Sequence, residues 1–249
     1  MAGTAVSGRL TWQFASVVAK QSETPRVITV RLAAETWPGH LPGQHIDLRL
    51  TAEDGYQAQR SYSIASAPAS GHLELTIEDI PEGEVSPYLT NELRPSDQLE
   101  LRGPIGGYFT WTEANGGPLL LVAGGSGVAP LMSMLRYRAE VGSTVPATLL
   151  YSSRSWDEII YREELEHLSA ESGVRVVHTL TRAHPAAWTG YIRRIDRAML
   201  EEVMGPPRPG NLAYICGPTR LVESAASELV ALGYPPARVK TERFGPTGG

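Results

Sequence analysis

The run Gln59-Arg60-Ser61-Tyr62-Ser63-Ile64 sets a guanidinium and a phenol two residues apart in a stretch that reads as extended chain. Alternation along a strand sends Arg60 and Tyr62 to the same face. A guanidinium makes a forked contact with phosphate, and a phenol ring packs against a flat heterocycle. The pair therefore suits a flavin nucleotide. It equally describes a surface arginine beside a packed tyrosine, and the run alone does not choose between them.

A second candidate is Ala123-Gly124-Gly125-Ser126-Gly127-Val128-Ala129-Pro130, which leaves an apolar strand and enters a helix. Glycines let the backbone approach a pyrophosphate, and a helix N-terminus favours negative charge. The wording is not the Rossmann fingerprint, because Pro130 stands where its third glycine or alanine would be. Pro130 suits a first helical turn, where a missing amide costs nothing. It is not a Walker A loop either, since no Gly-Lys-Ser/Thr follows. After the next strand come Ser152, Ser153, Arg154 and Ser155, and after the third comes Arg182. Arginine among hydroxyls matches a ribose 2′-phosphate better than a free 2′-hydroxyl. Asp157 keeps NADH open beside NADPH, and two solvated loop arginines are the plainer alternative. Cys216-Gly217-Pro218 follows the fourth strand, where the reactive end of a ligand should lie. Cys216 by itself is also a small buried apolar residue, and no nearby group marks it as a nucleophile.

Two kinds of element must position these residues. From Leu10 to about Trp111, six short β-like runs (Phe14–Val18, Arg26–Leu32, His45–Leu50, Gln59–Ile64, Leu73–Ile77, Gln98–Arg102) alternate with Gly and Pro turns. Such spacing predicts a small antiparallel barrel or sandwich, interrupted by one helix over Ser86–Leu93 with Pro87 in its first turn. After Gly116–Gly117 the pattern becomes strand–helix alternation. Strands are expected at Leu119–Ala123, Ala147–Tyr151, Arg175–Leu180, Asn211–Ile215 and Val239–Phe244. Helices are expected at Ala129–Val141, Tyr161–Leu168, Ile195–Glu202 and Arg220–Leu232. Continuous apolar strands between helices predict a parallel sheet covered on both faces, which binds ligands at its carboxyl edge. The expected domains are 1–113 and 114–249.

Bulk properties exclude several classes. With 42% hydrophobic and 20% charged residues the chain is globular, and a net charge of −5 offers no field for nucleic acid. The Met1–Lys20 stretch has no signal-peptide pattern and no apolar run approaches the ~20 residues of a spanning helix, so a cytoplasmic protein is expected. One cysteine rules out an internal disulfide and an iron–sulfur cluster held by this chain alone. The six scattered histidines show no zinc-ligand spacing, so no metal is expected.

The arginine–tyrosine run resembles the Arg-x-Tyr-Ser motif of the ferredoxin–NADP+ reductase superfamily. Glu82-Gly83-Glu84-Val85-Ser86-Pro87-Tyr88-Leu89 looks like that family's second flavin element, and Gly103-Pro104-Ile105-Gly106-Gly107-Tyr108-Phe109 is similar to the turn that ends its flavin barrel. The glycine turn, the Cys-Gly-Pro turn and the tail Lys240-Thr241-Glu242-Arg243-Phe244-Gly245-Pro246 are also similar to family elements. The resemblance, which covers nearly the whole chain, implies an N-terminal FAD-binding antiparallel β-barrel and a C-terminal NAD(P)H-binding α/β domain. It implies that Arg60, within the motif that includes Ser61, holds the flavin pyrophosphate and that Tyr62 packs along the isoalloxazine. Ser63 would reach the flavin N5 edge, a role that strand alternation does not supply. Thr76, Ile77 and Glu78 would wall the flavin site, while Gly83, Glu84, Val85 and Ser86 would approach its pyrophosphate. Gly124, Gly125, Ser126 and Gly127 would cradle the dinucleotide, Ser153, Arg154 and Arg182 its 2′-phosphate, and Cys216, Gly217 and Pro218 the nicotinamide. Phe244 would cover the flavin face, unless it is ordinary core packing, and Glu242 would join Ser63 and Cys216 at the reacting centre.

The implied activity is hydride transfer from NADPH, or NADH, to FAD, and release of electrons to a ferredoxin or the metal centre of a terminal enzyme. Many relatives fuse a plant-type [2Fe–2S] domain or a globin, and nothing here resembles either. Reduction of small acceptors such as free flavin or ferric chelates is a second reading. A flavin-holding subunit without independent turnover is a third.

Overall fold

The computed structural model describes residues 10–171 and 173–245; Pro246 and the first nine residues of the Met1–Lys20 stretch lie outside them. Six strands form the first sheet: β1 (Gln13–Thr24), β2 (Val27–Ala33), β3 (His45–Thr51), β4 (Gln57–Ser63), β5 (Leu73–Glu78) and β6 (Gln98–Ile105). Their order is β4-β3-β6-β1-β2-β5, with every pairing antiparallel. The two edges meet at an Ile64–Leu75 bridge, where Ala65 N donates to Glu74 O at 2.8 Å, closing the barrel. Val30, Leu32, Ile46, Leu48, Leu75 and Leu101 are fully buried inside.

β1 runs well past the expected Phe14–Val18. It pairs with β6 through Gln13–Ser16 and with β2 through Ser16–Thr24, so main-chain bonds carry its polar second half. The expected helix at Ser86–Leu93 is a single wide turn, Tyr88–Glu92, closed by Leu93 N donating to Tyr88 O. Thr90 and Asn91 donate their side chains to the Ser86 and Pro87 carbonyls, competing with the helical ladder, and Pro95 lies just beyond.

The second sheet holds β7 (Leu119–Gly124), β8 (Ala147–Ser153), β9 (Val174–Leu180), β10 (Leu212–Pro218) and β11 (Val239–Phe244), all parallel, in the order β11-β10-β7-β8-β9. The connecting helices are α1 (Val128–Glu140), α2 (Arg162–Glu171), α3 (Arg197–Met204) and α4 (Thr219–Ala231). Alternate residues of β7 serve two cores. Leu119, Leu121 and Ala123 pack with α1 and α2, and Leu120 and Val122 with α3 and α4. Burial on both faces is why these strands read as unbroken apolar runs. Strand order reverses between β7 and β10, so their carboxyl ends open a crevice between them.

The two halves join along one of these cores. Phe109 and Trp111, from the segment after β6, pack into the α1–α2 face together with Val27 and Ala65 of the barrel half. β5 lies at this junction and is buried on both sides: Leu73, Leu75 and Ile77 face the barrel core, while Glu74 and Thr76 lie under the second half. Tyr161, with left-handed backbone at φ 58°, hydrogen-bonds Thr76 and lies under the Arg136 guanidinium, 4.8 Å from its ring centre. Arg136 forks onto Glu164 at 2.7 and 2.6 Å and donates to Glu74 and the Ala65 carbonyl, both at 2.9 Å. Ser133 donates to Ser66 O at 2.7 Å. These bonds clamp α1 to the barrel. Among the described residues no helix is long and apolar enough to cross a membrane.

Candidate functional site

β4 carries the arginine–tyrosine run to the rim of the barrel. Arg60 is half-exposed, and its guanidinium donates to Glu84 at 2.9 Å and to Gln59 O at 2.7 Å. Tyr56 also donates to Glu84, at 2.6 Å, and these two bonds hold the Glu84 carboxyl below its ordinary range. Glu84 thus anchors the Arg60 guanidinium at the barrel rim. Tyr62 is half-buried against the barrel core on the Arg60 side, and burial pushes its hydroxyl up to about 12, which keeps it a neutral phenol. Ser61 faces the other way and donates to Asp47 at 2.6 Å.

Ser63 is paired in register with His45 of β3. The His45 ring lies between Gly106 and the tail, with Nδ1 at 4.0 Å from Glu242 on β11. Glu242 is in turn the register partner of Cys216 on β10. His45, which sequence reasoning missed, thus stands between the strand position of Ser63 and the Glu242–Cys216 pair of the parallel sheet. Burial raises the Glu242 carboxyl to about 7, raises the Cys216 thiol well above its usual value, and lowers His45. The Glu242 charge adds to the effect on Cys216, which is a buried neutral thiol and not a nucleophile. Phe244, in register with Pro218, is partly buried against the α1–α2 core at the groove edge.

The other flavin residues divide by orientation. Ile77 and Val85 are buried in the barrel core, and Thr76 is spent on Tyr161, so only their main chain can wall a ligand. The Ser86 hydroxyl accepts from Ile80 N at 3.2 Å, and Gly83 N closes a turn on Ile80 O at 2.7 Å. Glu78, at the end of β5, leaves the barrel and accepts from Ser126 Oγ at 3.0 Å and from Arg154 at 3.5 Å.

The glycine turn lies at the crevice between β7 and β10. Gly125 has φ +54°, a left-handed conformation natural to glycine, and a Cβ there would meet nothing nearer than a Glu78 oxygen at 3.8 Å. Gly127 has no such freedom, since a Cβ would sit 2.3 Å from the Cys216 carbonyl. That contact seats the turn against Cys216-Gly217-Pro218. Arg154 and Arg182 stand side by side, Arg182 N donating to Arg154 O at 2.8 Å, and Arg154 pairs with Glu158 at 3.1 Å. Ser153 is buried, its carbonyl accepts from Thr181, and its hydroxyl has no hydrogen-bond partner among the described residues. Strand alternation at the end of β8 leaves Ser152 half-buried.

These residues fit a flavin nucleotide and a dinucleotide: a half-exposed arginine beside a neutral phenol on the barrel rim, and an open left-handed glycine turn at a parallel-sheet crevice. Fold and site define a two-domain flavin- and nicotinamide-nucleotide oxidoreductase. The oxidoreductase FAD-binding domain model matches residues 15–110, and the oxidoreductase NAD-binding domain model matches residues 121–227. The chain belongs to the ferredoxin–NADP+ reductase superfamily.

It is 33% identical to the glycine betaine monooxygenase reductase subunit of Pseudomonas aeruginosa, over 83% of this chain and 56% of that protein. It is 28% identical to the Pseudomonas putida naphthalene 1,2-dioxygenase system ferredoxin–NAD(P)+ reductase component, over 94% and 69%. The solved Amycolatopsis cytochrome P450 reductase GcoB superposes with TM-score 0.82 at 26% identity, covering 98% of this chain and 74% of that one. The chain spans about half the length of the first curated relatives it matches, from 48% to 56%.

Proposed function

We propose that this protein takes reducing equivalents from NADPH through a bound FAD and delivers them to a redox partner protein, a ferredoxin or a terminal oxygenase. The observation that carries the reading is that His45 stands between the strand position of Ser63 and the Glu242–Cys216 pair, where barrel and parallel sheet face each other, beside the glycine turn. When bound, FAD supplies an isoalloxazine that accepts hydride from reduced nicotinamide and gives up electrons singly.

The chain's own residues do the rest. Arg60 would hold the flavin pyrophosphate, and Tyr62, a neutral phenol, would pack along its ring system. Ser63 offers a hydroxyl at the reacting edge. Glu242, protonated up to about pH 7, holds a proton beside it. Cys216, Gly217 and Pro218 give the nicotinamide a close, uncharged wall, and Phe244 closes the groove edge. Gly124 to Gly127 receive the dinucleotide pyrophosphate, while Arg154 and Arg182 favour a 2′-phosphate. Fixing two rings in near-contact is the main catalytic contribution expected of such a groove.

In this reading residues 1–113 carry the flavin and 114–249 the dinucleotide, with Phe109 and Trp111 as the seam, and the protein works in the cytoplasm. The names of the relatives, reductase components of monooxygenase and dioxygenase systems, support a protein acceptor. An absorbance spectrum of the purified protein, followed by anaerobic titration with NADPH and NADH, tests the proposal. Flavin bands that bleach at lower NADPH than NADH are expected. A colourless protein that takes up no added FAD removes the reading.

A further inference from the structure

The Glu78 carboxylate crosses from the barrel to the glycine turn of the other domain. One oxygen accepts from Ser126 Oγ at 3.0 Å and the other lies 3.5 Å from Arg154, whose second carboxylate partner, Glu158 at 3.1 Å, belongs to its own domain. The same Glu78 oxygen that Ser126 contacts is the nearest atom in front of Gly125, whose left-handed backbone leaves that space open. A carboxylate thus occupies the mouth of a turn suited to a pyrophosphate, and it engages a hydroxyl and a guanidinium that an anionic ligand there would use.

We propose that Glu78 is a displaceable anionic latch. Before the dinucleotide arrives it holds Ser126 and Arg154; the dinucleotide then takes over both, its pyrophosphate at Ser126 and its 2′-phosphate at Arg154, so that Glu78 sets how tightly the dinucleotide is held. The inference rests on the reading that the Gly125–Gly127 turn receives the dinucleotide. Two anions cannot share these donors without repulsion, and a carboxylate cannot donate to a phosphate. Glu78 must therefore withdraw toward the barrel when the turn fills. Each holding contact must be given up for the ligand to bind, and each subtracts from the affinity observed.

The test is calorimetric titration of NADP+, which does not turn over, into the flavin-loaded protein and its variants. E78Q, and E78A as a second route to the same loss of charge, are expected to bind NADP+ three- to tenfold more tightly, roughly 0.7–1.4 kcal/mol at 1.4 kcal/mol per decade. The gain should vanish when Glu78→Gln is placed on a Ser126→Ala, Arg154→Ala background. An unchanged or weakened affinity in E78Q and E78A overturns the latch while leaving the dinucleotide site standing. A full gain that persists on the double-variant background also overturns it, since through-space repulsion alone then suffices. Failure of both wild type and E78Q to bind NADP+ or NAD+ sinks the dinucleotide reading of the turn, and the latch with it.

Discussion

Replacing Arg136 by Met keeps the aliphatic stem of the side chain but removes the clamp between α1 and the barrel. The guanidinium makes two short bonds to Glu164 and one each to Glu74 and the Ala65 carbonyl. Burial opposes its charge, yet Glu164, Tyr161 and Glu74 more than offset this and hold it firmly protonated. The Glu74 side chain is only 12% exposed, whereas Glu164 is 36% exposed and can rehydrate. Removing one partner of a buried pair costs ~3–5 kcal/mol because the other charge is stranded. Arg31 remains on Glu74 at 2.9 Å, so the expected loss lies lower, at about 2–3 kcal/mol. For a chain of this size that is roughly 4–12 °C in Tm by scanning calorimetry. Adding Glu74→Gln removes the stranded charge and should recover about 1–2 kcal/mol. Arg136, followed by Arg31 and His72, outweighs burial and holds the Glu74 carboxyl below its usual 4.5. A depressed carboxyl stabilises above that value and ceases to as pH falls through its folded pKa. The cost of Arg136→Met should therefore shrink below about pH 4.5. A Tm loss under about 2 °C, or one that grows in acid, would refute Arg136 as a stabilising clamp between α1 and the barrel.

Other outcomes follow from the site. Arg60→Ala should weaken FAD binding by about ten- to a hundredfold, the worth of a charged hydrogen bond near 1.5–3 kcal/mol, and a variant purified fully yellow after dialysis counts against the phosphate role. Arg154→Ala should raise the KM for NADPH about tenfold while leaving that for NADH nearly unchanged; equal effects remove the 2′-phosphate assignment. Glu242 has its carboxyl raised to about 7 by burial, so its contribution is present in acid and lost as pH rises through 7. Glu242→Gln should thus gain on the wild type between pH 5 and pH 8 by about 1–2 kcal/mol in urea unfolding, after allowance for solvent near the carboxyl. It should also flatten any step in the pH–rate profile near neutrality. A stability difference that does not change with pH argues that the carboxyl is not buried in its charged form.

Much of this molecule was written in local pattern. Unbroken apolar runs foretold strands covered on both faces, because each residue of β7 is needed by one of two cores. Glycines between β7 and α1 marked a close backbone approach, since no Cβ fits at Gly127. Arg60 and Tyr62 had to share a face because a strand alternates. Alternation also limited the reading, as Ser153 shows: one position along β8 separates a buried hydroxyl from a half-buried one, and the strand's true end sets which is which. The polar half of β1 was invisible for a related reason, being held by main-chain bonds that leave no mark on side-chain type.

What the amino-acid order could not disclose are the meetings across the groove. His45 stands opposite Glu242, Glu78 reaches Ser126 and Arg154, and Arg136 locks onto Glu74, each joining one domain to the other. A charge carries no periodic signature, and its partner is chosen by where the two sheets bring their edges together. Local chemistry therefore determined the elements and the ligands they suit, while docking of the halves decided which acids and bases face one another.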